Sequence, residues 1–307
     1  MADQALAAAT VIIEGARASG AVPQVMTLFD EPTFTATHLV FDPATNKAAI
    51  IDSVLDFDPA SGRTSHASAE KLVALVKEHG LSVEWLIETH AHADHLSAAP
   101  WLQEQLGGKI AIGHEIQHVQ GVFGEIFNEG ADLARDGSQF DHLFGDGETF
   151  SLGNLQGMAL HVPGHTPADM AFVIGDAAFV GDTLFMPDYG TARADFPGGD
   201  ARMLFRSIKR LLALPAETRI FLCHDYKAPG RDSYAWETTV GAERTGNVHV
   251  HDGVAADDFV TMREARDKTL GMPRLILPSI QVNIRAGHLP PAEENGTRYL
   301  KLPLNVL

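Results

Sequence analysis

One short segment, Thr89 to His95, limits what this chain can fold into. It reads Thr-His-Ala-His-Ala-Asp-His, so three histidines and one aspartate fall within six residues. The apolar run Val83 to Ile87 before it predicts a short buried strand, and Leu96 to Leu106 after it predicts a helix that ends at Gly107-Gly108. A strand-to-helix loop lets such side chains converge. Imidazole and carboxylate together suit Zn, Fe, Mn or Ni.

Three later residues follow apolar runs in the same way. His165 lies in a Pro-Gly-His-Thr segment after one run, Asp182 in a Gly-Asp pair after a second, and His224 directly after a third. A sheet presents such residues at one edge, and strands hold a site more firmly than mobile loops do. Taken singly, His165 or Asp182 fits a structural turn residue. It is the combination that predicts a metal site, with candidate ligands His90, His92, Asp94, His95, His165, Asp182 and His224.

The composition narrows the class of protein. The chain has 307 residues, 45% of them hydrophobic and 21% charged, which allows a sizeable core. Its net charge of -17 argues against binding to nucleic acid or to an anionic membrane surface. A bound cation would offset part of this charge.

The single cysteine, Cys223, excludes an internal disulfide framework and fits a reducing compartment. Residues 1–20 lack the basic start of a secretory signal and the length of a spanning helix, so a cytoplasmic enzyme is expected. Cys223 directly precedes His224. Because adjacent residues of a strand point to opposite faces, its thiol is expected to face the core rather than the metal.

The order of elements predicts the architecture. Strands come first, then strand–helix units, and this order repeats, which predicts two mixed sheets between helices. Residues 52–65 are expected to form a loop, and residues 114–144 helical turns and loop. A helix is expected from Ala255 to Leu270, followed by proline-punctuated loops. We expect one domain over residues 1–307, with a core of about 25–250 and a C-terminal extension of about 251–307.

The motif set resembles the metallo-β-lactamase superfamily. Its histidine and aspartate motifs occur in the order and spacing of that family over roughly residues 25–250. The resemblance implies an α/β fold, the αββα sandwich of two mixed β-sheets flanked by helices, with the metal site at the sheet edges. It also implies room for two ions, with His90, His92 and His165 on one side, Asp94, His95 and His224 on the other, and Asp182 bridging.

Two activities of this fold compete for the sequence. One is binuclear zinc hydrolysis of a glutathione thioester, as in glyoxalase II, and the other is oxygenation of glutathione persulfide by a mononuclear Fe(II) enzyme. Both groups keep all seven ligands. Residues 190–196, 224–226 and 243–247 resemble persulfide dioxygenases, and residues 277–291 resemble a bacterial branch of that group. Glyoxalase II carries a C-terminal helical region with basic residues for its glutathione ester, and the sequence does not show that pattern.

The resemblance to persulfide dioxygenases implies one Fe(II) per chain, held by His90, His165 and Asp182. Such a two-histidine, one-carboxylate triad leaves coordination positions open for substrate sulfur and O₂. The implied reaction turns glutathione persulfide, O₂ and water into sulfite and glutathione. The residues then left to orient ligands and water, and so to assist catalysis, are His92, Asp94, His95 and His224.

Two further residues are candidates for substrate contacts. Tyr226 is either a hydrogen-bond donor near the iron or a half-buried packing residue. Arg193 would attract an anionic substrate to an acidic protein, or it simply pairs with Asp195. The expected partners are glutathione persulfide and O₂, and a homodimer is compatible with the sequence. A non-catalytic, sulfur-responsive binding module is a third hypothesis, which the complete ligand set disfavours.

Overall fold

The computed structural model describes residues 3–306, which contain eight α-helices and fifteen β-strands. The helices are α1 (Gln4–Ser19), α2 (Ala67–Glu78), α3 (Ala99–Leu106), α4 (Ile116–Ile126), α5 (Ala201–Leu211), α6 (Val240–Gly246), α7 (Ala256–Asp267) and α8 (Ile276–Asn283). The strands are β1 (Gln24–Asp30), β2 (Thr35–Asp42), β3 (Lys47–Ile51), β4 (Val54–Asp58), β5 (Arg63–Ser65), β6 (Ser82–Ile87), β7 (Leu96–Ser97), β8 (Lys109–Gly113), β9 (His142–Phe144), β10 (Thr149–Leu152), β11 (Leu155–His161), β12 (Met170–Ile174), β13 (Ala177–Phe179), β14 (Arg219–Phe221) and β15 (Glu237–Thr239).

Two six-stranded mixed sheets form the centre of the molecule. The first has the order β1-β2-β3-β6-β8-β9, antiparallel up to β3 and parallel from β3 onward. The second has the order β10-β11-β12-β13-β14-β15, in which β13 and β14 pair in parallel. A small third sheet has the order β5-β4-β7.

Apolar side chains pack in three layers. Phe144 of the first sheet and Phe172 and Phe179 of the second belong to the cluster between the sheets. Helices α2, α3, α4 and α8 share a second cluster with the first sheet, and α1, α5 and α7 share a third with the second sheet. This is the αββα sandwich, so the predicted fold class is confirmed.

Helix α5 shows how the sequence produces one of these layers. Leu204, Ile208 and Leu211 recur at helical spacing and are buried against the second sheet. The side chain of Asp200 caps the helix by accepting a hydrogen bond from the amide of Met203 at 2.6 Å. The start of α5 is thereby fixed beside one of the candidate ligand loops.

The structure corrects two expectations about loops. Residues 52–65 are not all loop, because β4 and β5 pair as a hairpin whose polar composition hides its strands. The stretch beyond residue 270 contains α8, which the sequence had not predicted. Pro278 is the third residue of α8, and an amide hydrogen there would have no partner inside the helix. Proline is therefore compatible with this helix start.

Within residues 3–306, no helix has both the length and the apolar character that crossing a membrane requires.

Candidate metal centre

The seven candidate ligands lie together at one edge of the two sheets. Four of them, His90, His92, Asp94 and His95, occupy the loop after β6. His165 lies in the loop after β11, Asp182 in a 3₁₀ turn after β13, and His224 three residues beyond β14. All are buried except Asp94, which is half-buried. The strand ends therefore bring together residues that are far apart in the chain.

The donor atoms form two adjoining groups. In the first, donor atoms of His90, His165 and Asp182 all lie within 4.8 Å of one another. In the second, Nε2 of His224 lies 3.3 Å from Asp94 Oδ2 and 3.3 Å from Asp182 Oδ1. The other carboxylate oxygen of Asp182 is 3.6 Å from His165 Nε2. Asp182 thus stands between the two groups.

Most of these donor atoms have no hydrogen-bond partner among the described residues. The buried atoms without one include His90 Nε2, His92 Nδ1, Asp94 Oδ2, His95 Nε2, Asp182 Oδ1 and His224 Nε2. Leaving a buried polar atom unpaired costs about 1–3 kcal/mol, so six in one place require an explanation. Bound metal would satisfy these atoms either directly or through water that it holds, and the donor set therefore fits a metal.

The protein orients each histidine ring through its other nitrogen. Nδ1 of His165 lies 2.8 Å from the carbonyl oxygen of Arg193, and Nδ1 of His224 lies 3.1 Å from that of Phe34. Since a carbonyl only accepts, each Nδ1 carries the proton and each Nε2 keeps a free lone pair. His90 is held in the same way by the hydroxyl of Thr89, 3.1 Å from its Nδ1. Such contacts fix both the ring and its tautomer.

His92 is turned the opposite way, because two carboxylates lie behind it. Its Nε2 is 2.9 Å from Asp52 Oδ1 and 3.2 Å from Glu88 Oε2, which leaves Nδ1 for a metal. Burial lowers the pKa of His92, but the two carboxylates outweigh burial and raise it well above its ordinary value. Asp52 also accepts hydrogen bonds from the amide and the hydroxyl of Thr89. It therefore supports both ends of the Thr-His-Ala-His segment.

Asp52 and Glu88 also belong to this site, although the sequence did not indicate them. Asp52 carries the same signal as the predicted ligands, since it is the first polar residue after the buried strand β3. It was assigned to the loop that follows. Glu88 likewise follows β6 directly, next to the histidine motif.

Two further imidazoles, those of His90 and His95, are held in the neutral form that binds metal. Burial lowers the pKa of His90 well below its ordinary value, and the neighbouring His92 and His165 lower it further. Burial, again with His92, lowers the pKa of His95 to about 3. A neutral ring keeps the lone pair that coordination needs.

A glycine directly precedes two of the ligands. Gly164, before His165, has a φ of +145°, and a Cβ there would lie 2.3 Å from the backbone of Leu204 in α5. Gly181, before Asp182, has a φ of +52°, and a Cβ there would lie 2.6 Å from Thr89 Oγ1. Both turns exist only because these positions lack side chains. The ligand loops are therefore packed tightly against their neighbours.

The prediction that the thiol of Cys223 faces the core, away from the metal site, is wrong. Its Sγ lies within 4.8 Å of donor atoms of His92, His95 and His224. Strand β14 ends at Phe221 and the backbone bends at Cys223, so the strand alternation that supported the prediction no longer applies. Burial raises the pKa of this thiol well above its ordinary value, and nearby carboxylates add to the effect. The thiol is therefore protonated beneath the histidines.

A cavity of about 450 Å³ opens above the ligands. Asp94, His165 and Asp182 lie in its floor, and Tyr226 stands at its side with the ring stacked 5.8 Å from that of His224. Tyr226 is 36% exposed, but partial desolvation in the cavity and the carboxylates of Asp94 and Asp182 raise its pKa well above its ordinary value. Its phenol is therefore neutral and able to donate a hydrogen bond.

Arg193 lines the same cavity and also forms the predicted ion pair. Its guanidinium donates to both carboxylate oxygens of Asp195, at 2.5 and 2.8 Å, and to the carbonyl oxygen of Gly271 at 2.7 Å. These bonds use three of its five N–H groups, and two remain. The structure thus shows the structural contact and leaves room for a substrate contact.

The cavity also receives arginines from the C-terminal extension. Arg263 and Arg266 of α7 and Arg274 beyond it all line the cavity. A C-terminal helix with basic residues is therefore present at the cavity, contrary to the expectation from the sequence. Packing of α7 against α5 turns this face of α7 toward the site, which the sequence did not reveal.

The three arginines differ in what they contact. Arg263 is buried and bonded to Asp267 and to the carbonyl oxygen of Thr191. Within residues 3–306, Arg266 and Arg274 form no side-chain hydrogen bond or ion pair. Arg266 lies 5.9 Å from the ring of Tyr189. These two exposed cations face the cavity of an otherwise acidic protein.

The family model described as the metallo-beta-lactamase superfamily matches residues 31–224 of this chain. A probable metallo-hydrolase of Burkholderia pseudomallei (strain 1710b) is 56% identical over 289 residues, which cover 91% of this chain and 98% of that protein. Glyoxylase B2 of Dictyostelium discoideum is 49% identical over 275 residues, which cover 89% of this chain and 94% of that protein.

Persulfide dioxygenases also match, at lower identity. The mitochondrial persulfide dioxygenase ETHE1 of Mus musculus is 29% identical over 296 residues, covering 94% of this chain and 100% of that protein. Among solved structures, ETHE1 from Myxococcus xanthus has a TM-score of 0.68 and 29% identity, and the match covers 86% of this chain and 100% of that one.

Proposed function

This chain belongs to the metallo-β-lactamase superfamily, and we propose that it is an Fe(II)-dependent persulfide dioxygenase that uses glutathione persulfide. One observation carries the proposal. His90, His165 and Asp182 form a compact donor group beneath an open cavity. Two histidines and one carboxylate with open positions are typical of non-haem Fe(II) oxygenases. The match to ETHE1 from Myxococcus xanthus over all of that chain supports the choice.

The proposed reaction consumes one glutathione persulfide, one O₂ and one water, and releases sulfite, glutathione and two protons. A bound iron would supply the open positions at which persulfide sulfur and O₂ meet. Around it, His92, Asp94, His95 and His224 hold water and orient the reacting groups. Tyr226 stands at the side of the cavity as a neutral donor. It would donate a hydrogen bond to the negatively charged sulfur group of the substrate.

The carboxylates of the glutathione part of the substrate bind to arginines of the cavity wall. Glutathione carries two carboxylates, and Arg266 and Arg274 are exposed cations at the cavity wall. Arg193 adds its two uncommitted N–H groups nearer the metal ligands. A cavity of about 450 Å³ lies in the range of small-molecule sites, roughly 300–1,000 Å³. A homodimer and a cytoplasmic location stay predictions.

A binuclear zinc hydrolase of glutathione thioesters is the second candidate. Relatives at 49–56% identity carry hydrolase or glyoxylase names, so by sequence identity the comparisons favour this candidate. Asp182 also stands between two donor groups, as a bridging ligand would. The basic C-terminal helix is compatible with it as well.

Metal content and turnover separate the two candidates. Protein purified without oxygen should hold about one Fe(II) per chain, and it should consume O₂ and form sulfite in equal amounts when given glutathione persulfide. His165→Ala, which lacks one of the three ligands, is the matched control and should do neither. Two zinc ions per chain, with hydrolysis of a glutathione thioester and no O₂ uptake, would replace the first candidate by the second.

A further inference from the structure

The side chain of Asn283, the last residue of α8, lies against the loop that carries four candidate ligands. Its Nδ2 donates to the carbonyl oxygens of His92 and His95, both at 2.8 Å, and its Oδ1 accepts from the amide of Ser97 at 2.9 Å. Asn283 is buried, with 4% of its surface exposed. One side chain thus makes three hydrogen bonds to the six-residue segment from His92 to Ser97.

The partners fix the orientation of the amide group. In the opposite orientation its oxygen would face two carbonyl oxygens, and its NH₂ would face the N–H of Ser97. All three contacts would then be repulsive. Nδ2 is therefore the atom that faces the ligand loop.

Among the described residues, the loop backbone hydrogen-bonds to strands only at its start, Glu88 to Ala111 and Thr89 to Met170, so residues 90–95 need another partner. Residues 88–95 form no helix or strand, and the carbonyl groups of a buried segment must still be paired. Asn283 pairs those of His92 and His95, on either side of Asp94. A second contact closes the loop, since the hydroxyl of Ser97 donates to Glu88 Oε1 at 2.6 Å.

We propose that Asn283 is a positioning residue of the metal centre, which makes the C-terminal extension part of that centre. Helix α8 is anchored by Ile280 and Val282 in the core beside the first sheet. Because α8 is fixed, the hydrogen bonds of Asn283 also fix the backbone at His92 and His95. Without Asn283 the two carbonyl oxygens lose their hydrogen bonds and the loop relaxes. The metal-binding nitrogens of His92 and His95 then leave the positions that a metal ion requires.

Gln281, on the same helix, provides a matched control. It is also buried, and its amide also makes three hydrogen bonds: Nε2 to the carbonyl oxygens of Leu277 and Lys301 at 2.7 and 3.0 Å, and Oε1 from the amide of Lys301 at 2.7 Å. These contacts hold the tail and not the ligand loop. Gln281→Glu therefore repeats the chemical change of Asn283→Asp without touching the metal site.

The test is competition for Zn²⁺ between the protein and a colorimetric chelator, with thermal unfolding measured on the same samples. Asn283→Asp keeps the shape and removes the donors, and it should weaken Zn²⁺ binding about 10–100-fold, as the loss of a ligand's supporting contact does. Gln281→Glu should lower the unfolding temperature comparably and change Zn²⁺ binding less than about threefold. Equal Zn²⁺ affinity in the two variants would overturn the proposal.

If Asn283→Asp does not fold, a measurement on the unmodified protein tests the proposal instead. Coupling between two sites is reciprocal, so a metal that orders the ligand loop must also stabilise α8 through Asn283. Zn²⁺ should slow amide hydrogen exchange in residues 276–287 more than in α7. Equal slowing in both helices, or none in α8, would refute the role given to Asn283.

Discussion

Replacing Arg193 by lysine tests whether this arginine stabilises the fold, binds the substrate, or does both. Only 11% of the Arg193 side chain is exposed. It donates two hydrogen bonds to Asp195 and one to the carbonyl oxygen of Gly271. Its hydrogen bond also lowers the pKa of Asp195. Lysine keeps the charge but cannot form the two-pronged contact.

The contacts set the expected size of the effect. Lysine can keep about one of the three bonds, and each charge-assisted bond contributes ~1.5–3 kcal/mol where water is excluded. Asp195 is 35% exposed and water can replace part of what it loses, so we expect a net loss of about 2 kcal/mol. For a chain of this length that lowers the unfolding temperature by about 4 °C. Because the carbonyl of Arg193 holds His165, metal retention should fall as well.

Arg266→Ala is the informative comparison, because Arg266 is exposed and makes no ion pair within residues 3–306. Its contact with the Tyr189 ring contributes at most about 1 kcal/mol, so the unfolding temperature should change by about 2 °C or less. If it binds a substrate carboxylate, KM for glutathione persulfide should rise roughly 10–100-fold, and kcat should change less.

Steady-state O₂ uptake and thermal unfolding on the same preparations decide the matter. Arg193→Lys should mainly lower stability, and any rise in KM would show that its two remaining N–H groups reach the substrate. An unchanged KM in Arg193→Lys removes Arg193 from substrate binding. The reasoning fails if Arg193→Lys unfolds at the wild-type temperature, or if Arg266→Ala binds substrate as tightly as wild type.

Three further predictions follow from the site and the core. His165→Ala should abolish iron retention, whereas His224→Ala should keep most of the iron and lose ~10–100-fold in activity, and equal metal loss by elemental analysis would show a binuclear site. Burial lowers the pKa of His38 from 6.5 to about 4, so between those pH values the unfolded chain binds the proton and the folded chain does not. Stability should therefore fall by up to about 3 kcal/mol as the pH drops through that range, and denaturation curves of His38→Gln should lack that part of the slope. Gly164→Ala forces a Cβ to 2.3 Å from the backbone of α5 and should cost about 3 kcal/mol or more in thermal unfolding. Gly253→Ala, at a positive φ with nothing within 4 Å, should cost about 1 kcal/mol, and equal losses would contradict this account.

The sequence was informative where a residue's position in the chain already determines its place in the fold. The candidate ligands follow buried strands, and strands leave the two sheets at one edge, so the positions of His165 and His224 at that edge could be predicted without coordinates. Helix α5 could be predicted because its apolar spacing and its Asp200 cap are local features. The fold class followed from the order of such elements.

The sequence was silent where a residue acts across a long distance in the chain. Asn283 lies 188 residues beyond His95, and its amide bonds to the ligand loop only because α8 packs there. Arg266 shows no local sign of lining a cavity, and the hairpin β4–β5 forms through pairing rather than through an apolar pattern.

Cys223 shows the same limit at short range, since one bend in the backbone reversed the direction expected for its thiol. The sequence by itself determined which candidate ligands are present and at which edge of the sheets they gather, because periodicity and strand order are local properties. Only the tertiary structure decided which nitrogen of each histidine is free, what stands behind His92 and which cations face the cavity. Those depend on hydrogen bonds and packing between distant segments, whose partners no local pattern names.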